Sequence, residues 1–245
     1  MFKFFSKPKY KKVDLSILGT DMHSHLIPGI DDGAPDVVAS LELIKGMMEL
    51  GYKKLITTPH IMWDMYKNTP ATIFKGLERL RKAVQLEGLS VEIHAAAEYF
   101  LDDHIGELLN KKEPLLPISG KMVLVEFSMA FPSFSIKNIL FDMQMQGYQP
   151  ILAHPERYIY LENAKDFYDE LKGIGCLFQI NLLSLTGYYG KSVTELANYL
   201  IKKGYYNLAG TDLHNMQQLR RLDDPSLTIG LKKLLESCTL INSQL

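Results

Sequence analysis

The sequence predicts an α/β fold in which seven strands alternate with helices and form one parallel sheet. Short apolar runs rich in β-branched residues alternate with longer stretches of helical periodicity almost to the end of the 245 residues. Several helical stretches are followed by a glycine just before the next strand, where a left-handed helix cap is expected; these glycines are Gly51, Gly88, Gly147 and Gly204. At this length a closed or nearly closed barrel competes with an open sheet.

The apolar runs are predicted strands because continuous apolar sequence suits a parallel sheet that is buried on both faces. In chain order they cover residues 17–20, 55–58, 91–97, 122–127, 151–153, 177–180 and 207–209. Three of the intervening stretches carry apolar residues at helical spacing, so each predicts one buried helical face. The three faces consist of Val37, Leu41, Ile44 and Met48; of Ile73, Leu77, Leu80 and Val84; and of Val193, Leu196, Ala197, Leu200 and Ile201.

Charge and composition narrow the classes of function. The chain has 27 Lys and Arg against 28 Asp and Glu, so no global positive field favours nucleic acid as a partner. The two cysteines form no CxxC pair, which fits a reducing compartment, and we expect a cytoplasmic protein. Apolar runs stay well short of the ~20 residues of a transmembrane segment, so none is predicted.

The domain organisation follows from the even composition. No Ser/Gly/Pro-rich linker divides the chain, which predicts a single domain over residues 14–245. Residues 1–13 precede it, and the first twelve contain five lysines and three phenylalanines. We expect this segment to be a solvated basic tail, with a weak peripheral contact to anionic membranes as the alternative.

Polar side chains that can bind metal ions follow the predicted strands, at the edge where parallel β/α proteins place their active sites. His23 and His25 are two residues apart, so in extended backbone both imidazoles project to the same side. The other candidates at strand ends are Asp21, Asp31, Asp32, His60, Glu98, Glu126, His154, Asp212 and His214. A carboxylate at the end of an apolar run is costly to bury alone. The residues therefore predict a shared cation site.

The alternative for each histidine is a structural role in the core. A single HxH pair is often coincidental, and it would not by itself establish a metal site. Five of the seven histidines fall at strand ends, however, which favours a common site. His94 lies within a predicted strand and His104 at the start of a polar helix, so we expect structural roles for these two.

Six sequence strings resemble the polymerase and histidinol phosphatase (PHP) superfamily of metal-dependent phosphoesterases. They are DMHSHLIPGIDDG, TTPH, AAAEYF, LVEF, AHPER and GTDLH, and they span the chain from about Asp21 to about Arg221. Within the superfamily they are most similar to the metal-dependent protein-tyrosine phosphatases of bacterial capsule and exopolysaccharide operons. The resemblance implies a distorted seven-stranded β/α barrel of TIM-like, PHP type with a trinuclear site.

The resemblance also implies how the ions are held. Three ligand sets are expected, with Glu98 shared between two of them: His23, His25, Glu98 and Asp212; Asp31, His60 and His214; and Glu98, Glu126 and His154. Mixed nitrogen and oxygen ligands suit transition metals better than Mg²⁺ or Ca²⁺. We expect two or three divalent ions, with Mn²⁺ favoured and Fe or Zn²⁺ as alternatives.

The implied activity is hydrolysis of phosphotyrosine on a bacterial tyrosine kinase or another capsule-assembly protein. A metal-activated hydroxide would attack phosphorus in line, with Arg157, Asp212 and His214 as catalytic residues and Arg157 also gripping the phosphate. Trp63 and Tyr66 follow His60 and are predicted to form an aromatic rim for the phosphotyrosine ring. The alternative for Trp63 is that it packs against a neighbouring loop. Arg220 and Arg221 are both candidates for a further arginine that the family places after the last motif.

Other functions stay open at this point. A small-molecule phosphatase of the histidinol-phosphate type or a phosphodiesterase could use the same ions, and a metal-stabilised binding scaffold without turnover is the non-enzymatic alternative. Cysteine-based phosphatase chemistry is excluded because it requires an arginine six residues after the cysteine. Leu182 and Gln244 stand at those positions after Cys176 and Cys238.

Overall fold

The computed structural model describes residues 13–131 and 136–245. The predicted basic tail lies outside these residues except for Val13, which is buried and donates its backbone N–H to Asp223 Oδ1 at 3.1 Å. No helix in the described ranges is both long and apolar enough to cross a membrane. The division into a tail and one domain over residues 14–245 stays a prediction.

Strands and helices alternate along the described residues. The strands are β1 Thr20–Asp21, β2 Lys54–Thr57, β3 His60–Ile61, β4 Glu92–Ala95, β5 Glu98–Phe100, β6 Met122–Glu126, β7 Gln149–Ala153, β8 Leu177–Asn181 and β9 Tyr206–Gly210. The helices are α1 Val37–Glu49, α2 Pro70–Leu86, α3 Asp103–Asn110, α4 Ile136–Met145, α5 Asp166–Gly173, α6 Lys191–Lys202, α7 Met216–Leu222 and α8 Pro225–Ser237. The last four predicted strands are confirmed to within two residues at each end.

The first three predicted strands differ in outcome. Residues 17 and 18 of the first belong to a 3₁₀ turn, Ser16–Leu18, and only Thr20–Asp21 pairs as a strand. The second is confirmed as β2 to within one residue at each end; beyond Pro59, which has no N–H to donate to a ladder, the chain continues as β3, which was not predicted. The third is a strand only over Glu92–Ala95, and β5 begins just beyond its end, at Glu98. Two short strands, β3 and β5, therefore follow the second and third predicted runs.

The strands form two parallel sheets with the orders β1-β2-β4 and β3-β5-β6-β7-β8-β9. β2 and β4 lie in the small sheet, whereas β3 and β5, which follow them directly in the chain, lie in the large one. A single parallel bridge between Ser24 and Leu213 joins the segment after β1 to the segment after β9. The α/β class with parallel strands is confirmed, whereas a closed seven-stranded barrel is not.

The helices cover one face of the strands. Asp36 caps α1 by accepting from Ala39 N, and a reciprocal capping box between Thr69 and Thr72 starts α2. The predicted buried faces of α2 and α6 are confirmed. For α1 the prediction is confirmed in part: Ile44 is buried, Leu41 and Met48 are half-buried against the core, and the other buried residues are Ser40, Leu43 and Met47.

The other face of the strands is apolar as well. Val123 and Val125 pack with the helices, whereas Leu124 between them belongs to a smaller apolar cluster with Ile56 and Leu208. Asn242 bonds to the backbone of Ala209 in β9 and to Thr20 O in β1, so it ties the two sheets together. The residues that continue the inner face past the small apolar cluster lie at the carboxyl edge of the strands.

Candidate metal centre

Donor side chains collect where the inner face of the strands reaches its carboxyl edge. Glu126 lies two residues after Leu124, and Glu98 two residues after Ala96, so each continues the face of the small apolar cluster. Neighbouring backbone pairs bring the ends of the chain into register: Asp212 N donates to His23 O at 2.7 Å, and His25 N to Leu213 O at 2.9 Å. The HxH and DxH segments thus lie side by side.

The first donor group consists of His23, His25, Glu98 and Asp212, all of them buried. His23 Nε2 lies 3.1 Å from Glu98 Oε2 and 3.3 Å from Asp212 Oδ1. His25 Nε2 lies 3.4 Å from each of the same two oxygens. Ligand atoms about 2.0–2.1 Å from one tetrahedral ion are spaced by about 3.3 Å. The group therefore has the dimensions of a four-ligand cation site.

The second group consists of His60, Glu98 and Glu126. His60 Nδ1 lies 3.2 Å from Glu98 Oε2 and 2.9 Å from Glu126 Oε1. Although these three atoms are buried and close together, none has a hydrogen-bond partner among the described residues. Buried polar atoms without partners are rare and costly. A shared cation would bind all three atoms at once and satisfy them. These residues therefore fit a metal ion.

The third group consists of His25, Asp32, His60 and His214. Asp32 Oδ1 lies 3.4 Å from His60 Nε2 and 3.5 Å from His214 Nε2. The other ring nitrogen of His214, Nδ1, is 2.8 Å from Asp212 O, which orients the imidazole towards Asp32. His60 Nδ1 points towards the second group and His60 Nε2 towards the third, so the two groups adjoin.

Two predicted ligands lie differently from the rest. Asp31 is absent from the third group and is the hydrogen-bond partner of His25 Nδ1 at 2.8 Å, so it orients that ring while Asp32 faces the cation position. His154 Nε2 lies 3.2 Å from Glu98 Oε1, next to the second group but outside it, and its buried Nδ1 has no partner among the described residues. The ligand roles of Asp31 and His154 remain predictions, and the geometry favours Asp32 over Asp31.

The exchange of Asp31 for Asp32 has a measurable consequence. Asp32→Asn is expected to lower kcat/KM by at least about a hundredfold. Asp31→Asn alters an outer partner of His25 that also accepts from the backbone N–H of His60, and it should cost about tenfold. Steady-state kinetics and metal analysis of the two variants, purified in parallel, would check this order. A larger loss in Asp31→Asn would return Asp31 to the ligand set.

Electrostatics in the metal-free cluster show that protons and cations compete for the same atoms. Burial opposes the charged form of His23, yet Glu98 and Asp212 outweigh it and raise its pKa. Burial likewise opposes ionisation of Glu98, but His23 and His60 hold its pKa well below the usual range. A bound cation would take over the role of these protons.

Backbone strain and close packing are concentrated at the same edge. Asp212 and His154 have left-handed φ values of 50° and 34°, which costs a non-glycine residue about 1–3 kcal/mol. Two glycines pack closely against the histidines of the HxH pair. A Cβ on Gly33 would lie 2.3 Å from His25 O, and a Cβ on Gly210 would lie 2.6 Å from His23 Cβ. The DDG and GTD strings therefore contain glycine because the histidines pack against its backbone.

Supporting residues that sequence analysis did not single out hold the donors from behind. Gln179 Oε1 is 2.8 Å from His23 Nδ1, and Asn181 donates Nδ2 to Asp212 Oδ2 at 2.9 Å. Asn68 donates to His60 O at 2.9 Å. A signal for Gln179 was present, because it is a polar residue within an otherwise apolar strand.

The predicted arginines separate into one at the cluster and two elsewhere. Arg157 Nη1 donates to Asp212 Oδ2 at 2.6 Å, and the side chain stays about a quarter exposed. Both of the other candidates are exposed, with Arg220 in a groove between α1 and α7 and Arg221 Nη1 3.8 Å from Asp224 Oδ2. Arg157 is thus the arginine placed to meet a ligand of the donor groups.

The two rim aromatics have different neighbours. Tyr66 stacks on His60 with 5.6 Å between ring centroids, so it borders the donor groups. Trp63 stacks on His104 with 3.8 Å between centroids and packs against α3, in keeping with the structural role expected for His104. Its indole is 37% exposed. Of the two, Tyr66 is the one that contacts the site directly.

The cysteines are unsuited to nucleophilic catalysis. Both are buried, and burial raises the pKa of Cys176 to about 12. Because the thiolate is the attacking form of cysteine, the Cys176 side chain would be un-ionised at neutral pH.

Comparison with known proteins gives the following similarities. A family model described as capsular polysaccharide synthesis, CpsB/CapC, matches residues 19–234. The tyrosine-protein phosphatase YwqE of Bacillus subtilis strain 168 is 28% identical over 197 residues, which are 80% of this chain and 78% of that protein. The tyrosine-protein phosphatase CpsB of Streptococcus pneumoniae is 29% identical over 201 residues, which are 80% and 83% of the two chains.

Solved structures show the same relationship. Crystal structures of YwqE from Bacillus subtilis and CpsB from Streptococcus pneumoniae, described as unique metal-dependent tyrosine phosphatases, provide a match with a TM-score of 0.75 and 25% identity over 91% of this chain and 96% of that one. An amidohydrolase from Mycoplasma synoviae matches with a TM-score of 0.56 and 14% identity over 96% and 91% of the chains. The second likeness is one of fold alone.

Proposed function

The chain belongs to the CpsB/CapC family of capsular polysaccharide synthesis proteins, and from this membership and the donor geometry we propose that it is a metal-dependent protein-tyrosine phosphatase. The observation that carries the proposal is the convergence of three adjoining donor groups at one strand edge. The relatives named as tyrosine phosphatases cover about four fifths of the chain.

We propose two or three divalent ions in these groups, with Mn²⁺ favoured and Fe or Zn²⁺ as alternatives. Imidazole nitrogens and carboxylate oxygens contribute together to each group, and such mixed sets suit transition metals. The proposed ligands are His23, His25, Glu98 and Asp212 for one ion, Glu98, Glu126 and His154 for a second, and Asp32, His60 and His214 for a third. His60 lies between the last two sets, and a neutral imidazole has one nitrogen free to bind an ion. When bound, the ions supply an activated water and positive charge beside the phosphoryl oxygens.

The residues of the chain have separate tasks in the proposed reaction. Arg157 Nη1 is held by Asp212, and the remaining N–H groups of its guanidinium fork can bind phosphoryl oxygens. Asp212 uses Oδ1 towards the histidines and Oδ2 towards Arg157, so it links the cation position to the phosphate position. His214 Nδ1 is held by the carbonyl oxygen of Asp212, so Nε2 faces Asp32 in the third donor group and would bind the ion there. Water forms a new P–O bond as the P–O bond to the tyrosine oxygen breaks, a proton from that water passes to the tyrosine oxygen, and inorganic phosphate and tyrosine leave.

The substrate class follows from charge and from the family. A phosphate monoester carries about −1.5 to −2 charges at neutral pH and complements a cation cluster backed by Arg157. We propose a phosphotyrosine protein as substrate, specifically a bacterial tyrosine kinase or another capsule-assembly protein in the cytoplasm. We further propose that residues 14–245 are one domain whose strands close as a distorted barrel, supported by the Ser24 to Leu213 bridge.

A substrate panel tests the activity. The purified chain, loaded with Mn²⁺, is assayed against a phosphotyrosine peptide, a phosphoserine peptide, histidinol phosphate and a phosphodiester. The expected result is the highest kcat/KM for phosphotyrosine and loss of turnover after chelation, with recovery on addition of metal. Preference for histidinol phosphate or the diester would establish one of the alternative enzymes. Metal binding without turnover on any substrate would leave the scaffold function.

The aromatic rim provides a test of substrate selection. Tyr66→Ala is expected to raise KM for the phosphotyrosine peptide about fivefold more than for a small alkyl phosphate, because ring stacking contributes ~1 kcal/mol of binding. Trp63→Ala should have a smaller effect because Trp63 packs against His104 of α3, whereas Tyr66 borders the donor groups. Tyr66→Phe keeps the ring over His60 and serves as control. Equal effects of Tyr66→Ala on both substrates would remove Tyr66 from substrate recognition.

A further inference from the structure

A short turn with two adjacent tyrosines lies beside Arg157. Residues 187–190 read Gly-Tyr-Tyr-Gly, and both glycines have left-handed backbone, with φ values of 78° and 94°. Residues other than glycine rarely adopt this backbone conformation, so the two glycines determine the path of the turn. The turn places the ring of Tyr189 against the guanidinium of Arg157, with Cζ 4.5 Å from the ring centroid.

Tyr189 also reaches the second donor that holds Asp212. Asn181 Nδ2 lies 3.1 Å from Tyr189 Oη and 2.9 Å from Asp212 Oδ2. Arg157 Nη1 donates to the same Asp212 Oδ2 at 2.6 Å. Tyr189 therefore contacts both groups that bond to this oxygen, its face towards the arginine and its hydroxyl towards the asparagine.

This arrangement bears on how Arg157 is oriented. An arginine side chain has several rotatable bonds, and its ion pair with Asp212 uses one nitrogen, which leaves the plane of the fork free to turn. An aromatic ring against the guanidinium restricts that rotation, and a cation over a ring is itself favourable. With the ring in place, the remaining nitrogens keep a fixed direction.

We propose that Tyr189 is a positioning residue that holds Arg157 ready for the phosphoryl group; this inference rests on the phosphatase function proposed above. Tyr189 acts through Arg157 and contributes no chemistry of its own. The ring is the essential part, since the hydroxyl contacts Asn181 and not the arginine. Because every substrate shares the phosphoryl group, Tyr189 contributes equally to aryl and alkyl phosphates, unlike a residue of the aromatic rim.

Five variants, including Arg157→Ala and its combination with Tyr189→Leu, test the proposal in the metal-loaded enzyme. Tyr189→Leu should lower kcat/KM about tenfold for both a phosphotyrosine peptide and an alkyl phosphate, and Tyr189→Phe should stay within about threefold of the wild type. In an Arg157→Ala background, Tyr189→Leu should have almost no further effect, because the group through which it acts is gone. Tyr199→Leu is the matched control, since Tyr199 also carries a cation, Lys165 Nζ at 4.8 Å, but lies on α6.

Two further measurements separate positioning from damage to the fold or the metal site. Titration calorimetry with inorganic phosphate should show weaker binding in Tyr189→Leu by a factor similar to the loss in kcat/KM. Metal content and melting temperature should match those of Tyr199→Leu.

The outcomes are distinguishable. Additive losses in the double variant, equal impairment of Phe and Leu at position 189, or an effect confined to the aryl substrate would overturn the positioning role. If the wild type itself hydrolyses none of the phosphate esters, the proposed function fails instead. In that case the calorimetric comparison of phosphate binding still tests the role of Tyr189: weaker binding in Tyr189→Leu than in the wild type supports it, and equal binding contradicts it.

Discussion

Glu98→Gln is expected to abolish metal-dependent turnover, with kcat/KM lowered about a thousandfold or more, equivalent to ~4 kcal/mol of barrier. Glu98 is fully buried, and its Oε2 lies 3.1–3.4 Å from nitrogens of His23, His25 and His60. It belongs to two of the three donor groups. The substitution keeps the shape of the side chain but removes the charge that two cations would share.

Metal content and thermal unfolding check this result independently of activity. A ligand present at about a hundred times its dissociation constant stabilises a protein by ~2.7 kcal/mol, so chelation should lower the wild-type melting temperature by about 5–10 °C. In Glu98→Gln the same chelation should change the melting temperature little. Glu107→Gln on the exposed side of α3 is the control and should behave as the wild type. Full metal content in an active Glu98→Gln enzyme would contradict the shared-ligand role.

Arg157→Ala should have the second largest effect, lowering kcat/KM about a hundredfold, or ~2.7 kcal/mol, for every phosphate ester. Arg157 is the arginine at the donor groups, and its Nη1 donates to Asp212 Oδ2. Removing it takes away the phosphate grip and leaves Asp212 Oδ2 with Asn181 as its remaining donor. Arg157→Lys restores the charge but not the planar fork, so it should recover only part of the loss.

The measurement is a comparison of kcat and KM for an aryl and an alkyl phosphate, with metal content determined on the same samples. Arg221→Ala is the control, because Arg221 is exposed and its partner is Asp224. An Arg157→Ala loss confined to the aryl substrate would mean that Arg157 contacts the tyrosine ring and not the phosphoryl group. Loss of metal along with activity would assign Arg157 to the support of Asp212.

The second half of the strands could be predicted from sequence because each is a continuous apolar run between clear helices, as in β6 and β8. In the first half β2 was predicted, but β1, β3 and β5 were not, because they are only two or three residues long and leave weak sequence signals. Pro59 separates β2 from β3, whereas the break between β4 and β5 at residues 96–97 lies within an apolar stretch. Pairing with one sheet before the break and the other after it is a tertiary property.

The candidate site shows the same division between local and long-range information. The sequence alone determined which residues could act together, because a histidine or carboxylate at the end of an apolar strand is costly unless it meets a partner or a cation. His23, Glu98, Glu126 and Asp212 were identifiable on that ground. Strand alternation further determined that His23 and His25 face one side.

Only the tertiary structure decided which of two adjacent aspartates lies in the third donor group. Asp31 and Asp32 are indistinguishable by residue type and by position after the strand, and their roles depend on how the chain turns back over His25, where Gly33 packs against the His25 backbone. The partners of Arg157 were hidden for the same reason: Asp212 and Tyr189 are 55 and 32 positions away in sequence and are brought to it by β8 and β9. Residue type limits the chemistry, but a contact between distant segments depends on packing that no local pattern encodes.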